Sequence, residues 1–138
     1  MIAYIDTSAL LRIVFREPGA LEDLRSYERL VSSELIAVES ARTIDRLRIQ
    51  GALTPEDAAE RIRAANEWIE AIDLVMLRPA VLSRASEPMP TALGTLDAIH
   101  LSTALIWRDR MGALPEMATH DSALGTAGRV FGFDVRGT

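Results

Sequence analysis

Short apolar runs alternate with segments of helical periodicity along this chain, and that alternation constrains its fold more than any other feature. The first run, Ile2 to Ile5, stops abruptly at Asp6, and from Leu10 to Phe15 apolar residues recur at helical spacing. Further strands are predicted at Arg29 to Ser32, Ile72 to Leu77, Met117 to Thr119 and Phe133 to Val135. Such alternation favours parallel strands joined by right-handed crossovers, so the sequence predicts an α/β fold with a mainly parallel sheet.

Helix-start and helix-stop signals place helices between these strands. Ser33 is predicted to cap a long helix that ends near Gln50, with Gly51 in a left-handed conformation beyond it. Thr54 and Pro55 supply the cap and the first residue of the next helix, which runs to about Glu70. The remaining helices are predicted around Leu21 to Arg25, at Pro79 to Ser86, at Thr95 to Met111 and from Ser122 onward. No repeat or linker interrupts the pattern, so residues 1–138 are expected to form one domain.

The composition excludes several classes of chemistry. The chain has no cysteine, which removes thiolate metal sites, disulfides and cysteine nucleophiles. All 15 basic residues are arginine, so Walker-type phosphate binding through a lysine and Schiff-base chemistry are excluded as well. With 20 acidic residues the net charge is −5, so binding to a polyanion must rest on local arginines and bound cations.

The chain carries no signal for export or membrane insertion. Its first residues lack the basic region that opens a signal peptide, and only a few apolar residues precede the first charge. No apolar stretch is long enough to cross a bilayer. We therefore expect a cytoplasmic protein without a membrane partner.

Two aspartates directly follow predicted strands, at the position where open α/β sheets usually bind their ligands. Asp6 comes after the first strand, and Asp121 comes just after the fourth. Each also occupies the position of a helix N-cap, and capping alone would explain either residue. Both explanations stay open for each aspartate.

Two further acids lie on helices that are predicted to pack near these strand ends. Asp97 precedes Leu101 by one turn on an apolar stripe, where a carboxylate needs a partner. A first-turn aspartate also interacts favourably with the helix dipole, which is the alternative for Asp97. Glu39 lies inside the long helix near the edge of its buried stripe, and a salt bridge to Arg42 or a solvated face would explain it equally.

The joint arrangement of these four acids is more informative than any one of them. Carboxylates that share a partly desolvated cleft repel one another and stay ionised only beside a positive charge. The chain has no lysine to supply that charge. A hard divalent cation with oxygen ligands, Mg²⁺ or Mn²⁺, is therefore predicted at this position.

Four short motifs surround these acids, and a fifth segment closes the chain. They are Tyr4-Ile-Asp6-Thr-Ser8, Ser33-Glu-Leu-Ile-Ala-Val-Glu39-Ser-Ala-Arg42, Leu96-Asp97-Ala-Ile-His100, Thr119-His-Asp121-Ser-Ala-Leu124 and Gly132-Phe-Asp-Val135. In their order and spacing they resemble the motifs of PIN-domain ribonucleases, in particular the VapC toxins of bacterial toxin–antitoxin pairs. The resemblance implies a three-layer α/β/α fold whose short central sheet has about five strands flanked by helices.

The resemblance also implies a set of site residues. Asp6, Glu39, Asp97 and Asp121 fall on the acidic, catalytic and metal-binding quartet of the family, with Asp6 and Asp97 as the main ligands of the ion. Ser8 and Thr119 fall on the polar positions beside the quartet, where they are expected to contact substrate. Arg42 is the preferred phosphate contact among the arginines, ahead of Arg12, Arg46 and Arg48, because it follows Glu39 by one turn.

By the same resemblance the activity would be metal-dependent hydrolysis of RNA that leaves a 5′-phosphate and a 3′-hydroxyl. A cognate antitoxin is expected to cover the acidic cleft. Family members also tend to form homodimers and larger toxin–antitoxin assemblies, which bind promoter DNA through the antitoxin. This chain shows no DNA-reading motif of its own.

Two other functions compete with this one. A PIN-fold module that has lost activity and serves as a scaffold is the main alternative, although all four acidic positions are filled. A phosphatase of the haloacid dehalogenase type fails, because Ser8 stands where a second aspartate is required and lysine is absent. His100, Trp68 and Trp107 are interpreted as residues packed on apolar helix faces.

Overall fold

Five short strands form one parallel sheet in the computed structural model, which describes residues 1–138. The strands are β1 (Ile2–Ile5), β2 (Arg29–Ser33), β3 (Ile72–Val75), β4 (Glu116–Ala118) and β5 (Val135–Arg136). Their order across the sheet is β3-β2-β1-β4-β5, and every neighbouring pair is parallel. The predicted parallel α/β sheet is therefore confirmed, with the first strand of the chain at its centre.

Six α-helices connect and cover the strands. They are α1 (Thr7–Val14), α2 (Leu35–Ile49), α3 (Pro55–Glu70), α4 (Pro79–Ala85), α5 (Thr95–Met111) and α6 (Ser122–Val130), and a short 3-10 helix spans Glu22–Ser26. None of these helices combines the length and the apolar composition that crossing a bilayer requires.

The local start and stop signals act as predicted for α3, α5 and the end of α2. The Thr54 hydroxyl accepts a hydrogen bond from the Asp57 amide at 3.1 Å, and Pro55 opens the helix. Gly51 has a φ of +78°, a conformation that glycine adopts without steric cost. Helix α5 has the predicted bounds, and its chain reverses at Gly112, where φ is +63°.

Several boundaries differ from the prediction. β3 ends at Val75 rather than at Leu77, and β4 spans Glu116–Ala118 rather than Met117 to Thr119. Ser33 is the last residue of β2 rather than the N-cap of α2, although its hydroxyl accepts from the Leu35 amide at 3.2 Å. The final strand begins at Val135 rather than at Phe133. The Phe133 amide donates instead to the Gly128 carbonyl at 3.0 Å, which closes the end of α6.

Two apolar clusters pack on opposite faces of the sheet, as alternation along β1 requires. Ala3 and Ile5 belong to one cluster with side chains of α1, α2 and α3, whereas Tyr4 belongs to the other with side chains of α5 and α6. Trp68 lies in the first cluster and Trp107 in the second, so both tryptophans are core residues. The result is a three-layer α/β/α arrangement that exposes the carboxyl ends of the strands along one edge.

Candidate functional site

The candidate site begins at the carboxyl ends of the two central strands. Ile5 of β1 lies beside Ala118 of β4, and the Asp6 amide donates to the Ala118 carbonyl at 3.2 Å. The residues that follow these strands, Asp6 and Thr119, are therefore neighbours although they are far apart in sequence. Open α/β sheets commonly bind ligands at this edge.

Asp6 is held rigidly, with only 3% of its surface exposed. Its Oδ1 accepts from the Ala9 amide at 3.0 Å and from the Ser8 hydroxyl at 2.7 Å, and its Oδ2 accepts from the Thr119 hydroxyl at 2.7 Å. Burial raises the pKa of Asp6, and His100 and these hydrogen bonds offset part of that rise. The predicted N-cap of α1 is confirmed, and the same carboxylate also lies inside the candidate site.

Ser8 and Thr119 link Asp6 to Asp121. The Thr119 hydroxyl donates to Asp6 and accepts from the Asp121 amide at 3.0 Å, while the Ser8 hydroxyl accepts from the His120 amide at 2.9 Å. Asp121 caps α6 through Oδ1, which accepts from the Leu124 amide at 2.7 Å. The two hydroxyls thus fix the positions of two acids, and substrate contact by Ser8 and Thr119 stays a prediction.

Asp97 differs from the other acids because its side chain accepts no hydrogen bond from the protein. It is half-buried in the first turn of α5, whose N-cap is Gly94. Burial, followed by the negative charges of Asp121 and Asp6, raises the pKa of Asp97 to about 6, and Glu39 adds to the rise. Asp97 lies in the first turn of α5, so a favourable interaction with the helix dipole and a place among the other acids are both compatible with its position.

The raised pKa of Asp97 predicts how the stability of metal-free protein depends on pH. The unfolded chain releases this proton near pH 3.8 and the folded chain near pH 6, so the folded state binds more protons between those values. Stability from this group therefore falls as the pH rises through that window. Asp97→Asn should match the wild type in stability at pH 4 and exceed it by about 1 kcal/mol at pH 7, since solvent screens a half-exposed group.

Urea titrations at both pH values, with EDTA present, measure the free energy of unfolding of each protein and test this expectation. A difference between variant and wild type that stays constant from pH 4 to pH 7 would contradict it.

Glu39 has partners that the sequence did not indicate. Its Oε1 lies 2.6 Å from Nε2 of His100 and accepts from the Thr7 hydroxyl at 2.9 Å, and its side chain is 16% exposed. The salt bridge to Arg42 considered for it is absent, because Arg42 pairs with Asp45 at 3.1 Å. The other explanation, that Glu39 lies on a solvated face of its helix, is also wrong, because so little of its side chain is exposed. The sequence offered one signal that His100 lies near the site: it follows Asp97 by three residues, so the two share a helix face.

The arginines lie around the site rather than within it. Arg42 points to solvent with 63% of its side chain exposed, and its role as a phosphate contact stays a prediction. Arg48 shares Asp45 with Arg42. Arg12 lines a cleft of about 480 Å³ that also includes Ser8, His120 and Asp121. It therefore shares this cleft with Asp121, although the sequence ranked it below Arg42 as a phosphate contact.

The donor set suits a hard divalent cation in a hydrated site. No three His, Asp or Glu side chains form a ready-made ligand cage. Mg²⁺ does not require one, because it keeps several waters and uses one or two carboxylates. No arginine pairs with Asp6, Glu39, Asp97 or Asp121, and their mutual repulsion persists without a cation. The residues present therefore fit Mg²⁺ or Mn²⁺.

Comparisons with known proteins bear on the family of the chain. The family model described as PIN domain matches residues 3–113. Ribonuclease VapC46 of Mycobacterium tuberculosis is 33% identical over 137 residues, covering 96% of this chain and 94% of the relative. Ribonuclease VapC47 of the same species is 29% identical over 132 residues, covering 94% and 92%.

Two solved structures share the fold. A toxin–antitoxin complex from Klebsiella pneumoniae aligns with a TM-score of 0.60 and 14% identity over 87% of each chain. VapBC2 from Rickettsia felis, bound to a DNA fragment from their promoter, aligns with a TM-score of 0.68 and 11% identity, covering 99% of this chain and 98% of that one. At such low identity these two structures bear on the fold alone.

Proposed function

The chain belongs to the PIN-domain family, and from that premise we propose that it is a metal-dependent endoribonuclease toxin of the VapC type. Two M. tuberculosis relatives named as ribonucleases, alignable over nearly the whole chain, support the activity. The observation that carries the proposal is the unpartnered carboxylate of Asp97, held in the field of Asp121, Asp6 and Glu39. Such an arrangement is stabilised by a cation.

Asp6 and Asp97 would hold the ion, with Glu39 and Asp121 acting on its waters or on a second ion. A carboxylate offers about four lone-pair sites, and Asp6 receives one proton each from Ala9, Ser8 and Thr119, which leaves one site for the ion. Bound Mg²⁺ or Mn²⁺ would lower the pKa of a water and neutralise charge on the phosphate. The hydroxyls of Ser8 and Thr119 would keep Asp6 fixed so that it does not reorganise during the reaction.

We also propose a cognate antitoxin as the partner, with homodimers and toxin–antitoxin hetero-oligomers as the assembled states. One of the two structures that share the fold is a toxin–antitoxin complex, and the other is a VapBC2 complex. DNA would be contacted only through the antitoxin. Residues 1–138 would act as one domain in the cytoplasm, cleaving RNA to leave 5′-phosphate ends.

Incubation of the purified protein, free of any antitoxin, with total cellular RNA in Mg²⁺ or Mn²⁺ tests the proposed activity. We expect discrete fragments with 5′-phosphates that disappear with EDTA and in Asp6→Asn, a variant that keeps an N-cap residue at α1. Intact RNA, from folded protein that binds Mn²⁺, would instead favour a catalytically inactive PIN-fold scaffold.

A further inference from the structure

His100 lies where four elements of the fold meet, and only 1% of its surface is exposed. Its Nε2 is 2.6 Å from Glu39 of α2, and its Nδ1 is 2.8 Å from the hydroxyl of Tyr4 of β1. Thr7 of α1 lies 3.4 Å from the same Nε2. The edge of the imidazole meets the Tyr4 ring, with centroids 6.0 Å apart. The ring is thus fixed in position and in rotation.

The direction of the hydrogen bonds follows from the chemistry of the partners. An ionised carboxylate has no proton to give, so Nε2 of His100 donates to Glu39. The Tyr4 hydroxyl both donates and accepts, so it satisfies Nδ1 in either protonation state of the ring. Burial, followed by the charge on Asp6, raises the pKa of Tyr4, which keeps that hydroxyl neutral. A continuous chain therefore runs from Tyr4 through His100 to Glu39.

The two oxygens of Glu39 are consequently unequal. Oε1 receives protons from His100 and from Thr7, which occupy both of its lone-pair sites. Oε2 accepts no hydrogen bond from the protein, and it is the oxygen left for the cleft. We propose that His100 is a positioning residue that withholds one oxygen of Glu39 from the metal site and presents the other. This inference rests on the proposed nuclease function.

The contact between His100 and Glu39 also connects Glu39 to helix α5. Asp97 and His100 lie three residues apart, so they share one face of that helix. One acid of the site is therefore carried by α5 directly, while a second acid, Glu39 of α2, is held by the same helix through His100. A histidine that only packs would leave the position of Glu39 unaffected when it is replaced.

Four variants separate positioning from packing. His100→Leu removes both hydrogen bonds, His100→Gln restores an N–H donor toward Glu39, and Glu39→Gln removes the charged acceptor. Ser102→Ala is the matched control, because Ser102 is buried on the same helix and its hydroxyl has no partner. Replacing a residue that orients a ligand typically lowers metal affinity or activity by about 10- to 100-fold.

We expect His100→Leu to lower the RNA cleavage rate at saturating Mg²⁺ by about 10- to 100-fold. It should also weaken Mn²⁺ binding, which calorimetry measures. His100→Gln should recover most of the cleavage rate and of the Mn²⁺ affinity, and Ser102→Ala should match the wild type in both. Wild-type cleavage and Mn²⁺ affinity in folded His100→Leu would overturn the proposal. If His100→Leu fails to fold, proton NMR of the wild type carries the test, because it does not depend on that variant.

Proton NMR of the metal-free protein supplies a readout that requires no catalysis. A solvent-protected imidazole N–H proton, shifted downfield by its carboxylate partner, is expected in the wild type and absent from His100→Leu. In Glu39→Gln the amide oxygen still accepts but carries no charge, so the signal is expected at a less downfield position. An Nε2 proton that exchanges freely with water in the wild type would overturn the proposal. A wild type that shows the protected proton but neither cleaves RNA nor binds Mn²⁺ would contradict the proposed nuclease function and leave the hydrogen bond from His100 to Glu39 in place.

Discussion

Asp97→Asn is expected to abolish RNA cleavage, lowering the rate by at least about 100-fold, while the protein remains folded. The substitution keeps the shape of the side chain and removes the charge that would bind the cation. Because Asp97 accepts no hydrogen bond from the protein and is repelled by Asp121 and Asp6, removing its charge breaks no structural contact. Single-turnover cleavage of a defined RNA fragment measures the effect.

The matched control for that substitution is Asp109→Asn. Asp109 lies on the same helix, but its side chain is 71% exposed and pairs only with the neighbouring Arg108. This variant is expected to cleave RNA at the wild-type rate. An Asp97→Asn protein that cleaves as fast as the control would remove Asp97 from the site.

Leu101→Ala is expected to lower the free energy of unfolding by about 2–5 kcal/mol. Leu101 is fully buried in the cluster formed by α5, α6 and one face of the sheet, and truncation leaves a cavity there. A domain of this size is stabilised by only about 5–15 kcal/mol, so the change is a large fraction of the total. Urea denaturation monitored by circular dichroism measures it.

Leu114→Ala provides the comparison, since Leu114 is 58% exposed in the segment before β4. A change within about 0.5 kcal/mol is expected for this surface position. Equal destabilisation by the two substitutions would contradict the assignment of Leu101 to the core.

Local signals account for the parts of the fold that the sequence predicted well. Thr54, Pro55 and Gly51 each act on backbone groups within a few residues, so their effect can be inferred without knowing the neighbours in space. Asp6 and Asp121 were also assigned correctly as caps. For these two aspartates, capping and membership of the candidate site are not alternatives, because one oxygen binds the helix amide while the carboxylate still borders the cleft.

Contacts between distant elements account for what the sequence did not predict. Glu39 bonds to His100, 61 residues away, and no local pattern distinguishes that partner from Arg42 one turn along the same helix. Arg42 pairs with Asp45 instead, because helical spacing allows both contacts and tertiary packing decides between them. The shift of β5 to Val135 has a local origin instead, since the Phe133 amide donates to the Gly128 carbonyl at the end of α6.

The central position of β1 has a consequence during synthesis of the protein. The Thr119 hydroxyl that holds Asp6 lies 113 residues further along the chain, so β4 leaves the ribosome long after its neighbour β1. Chains emerge N-terminal end first, and contacts of such long separation form late. A nascent chain that already displays Asp6, Glu39 and Asp97 still lacks the strand that completes the cleft. The proposed activity toward RNA is therefore expected to appear only after β4 has left the ribosome.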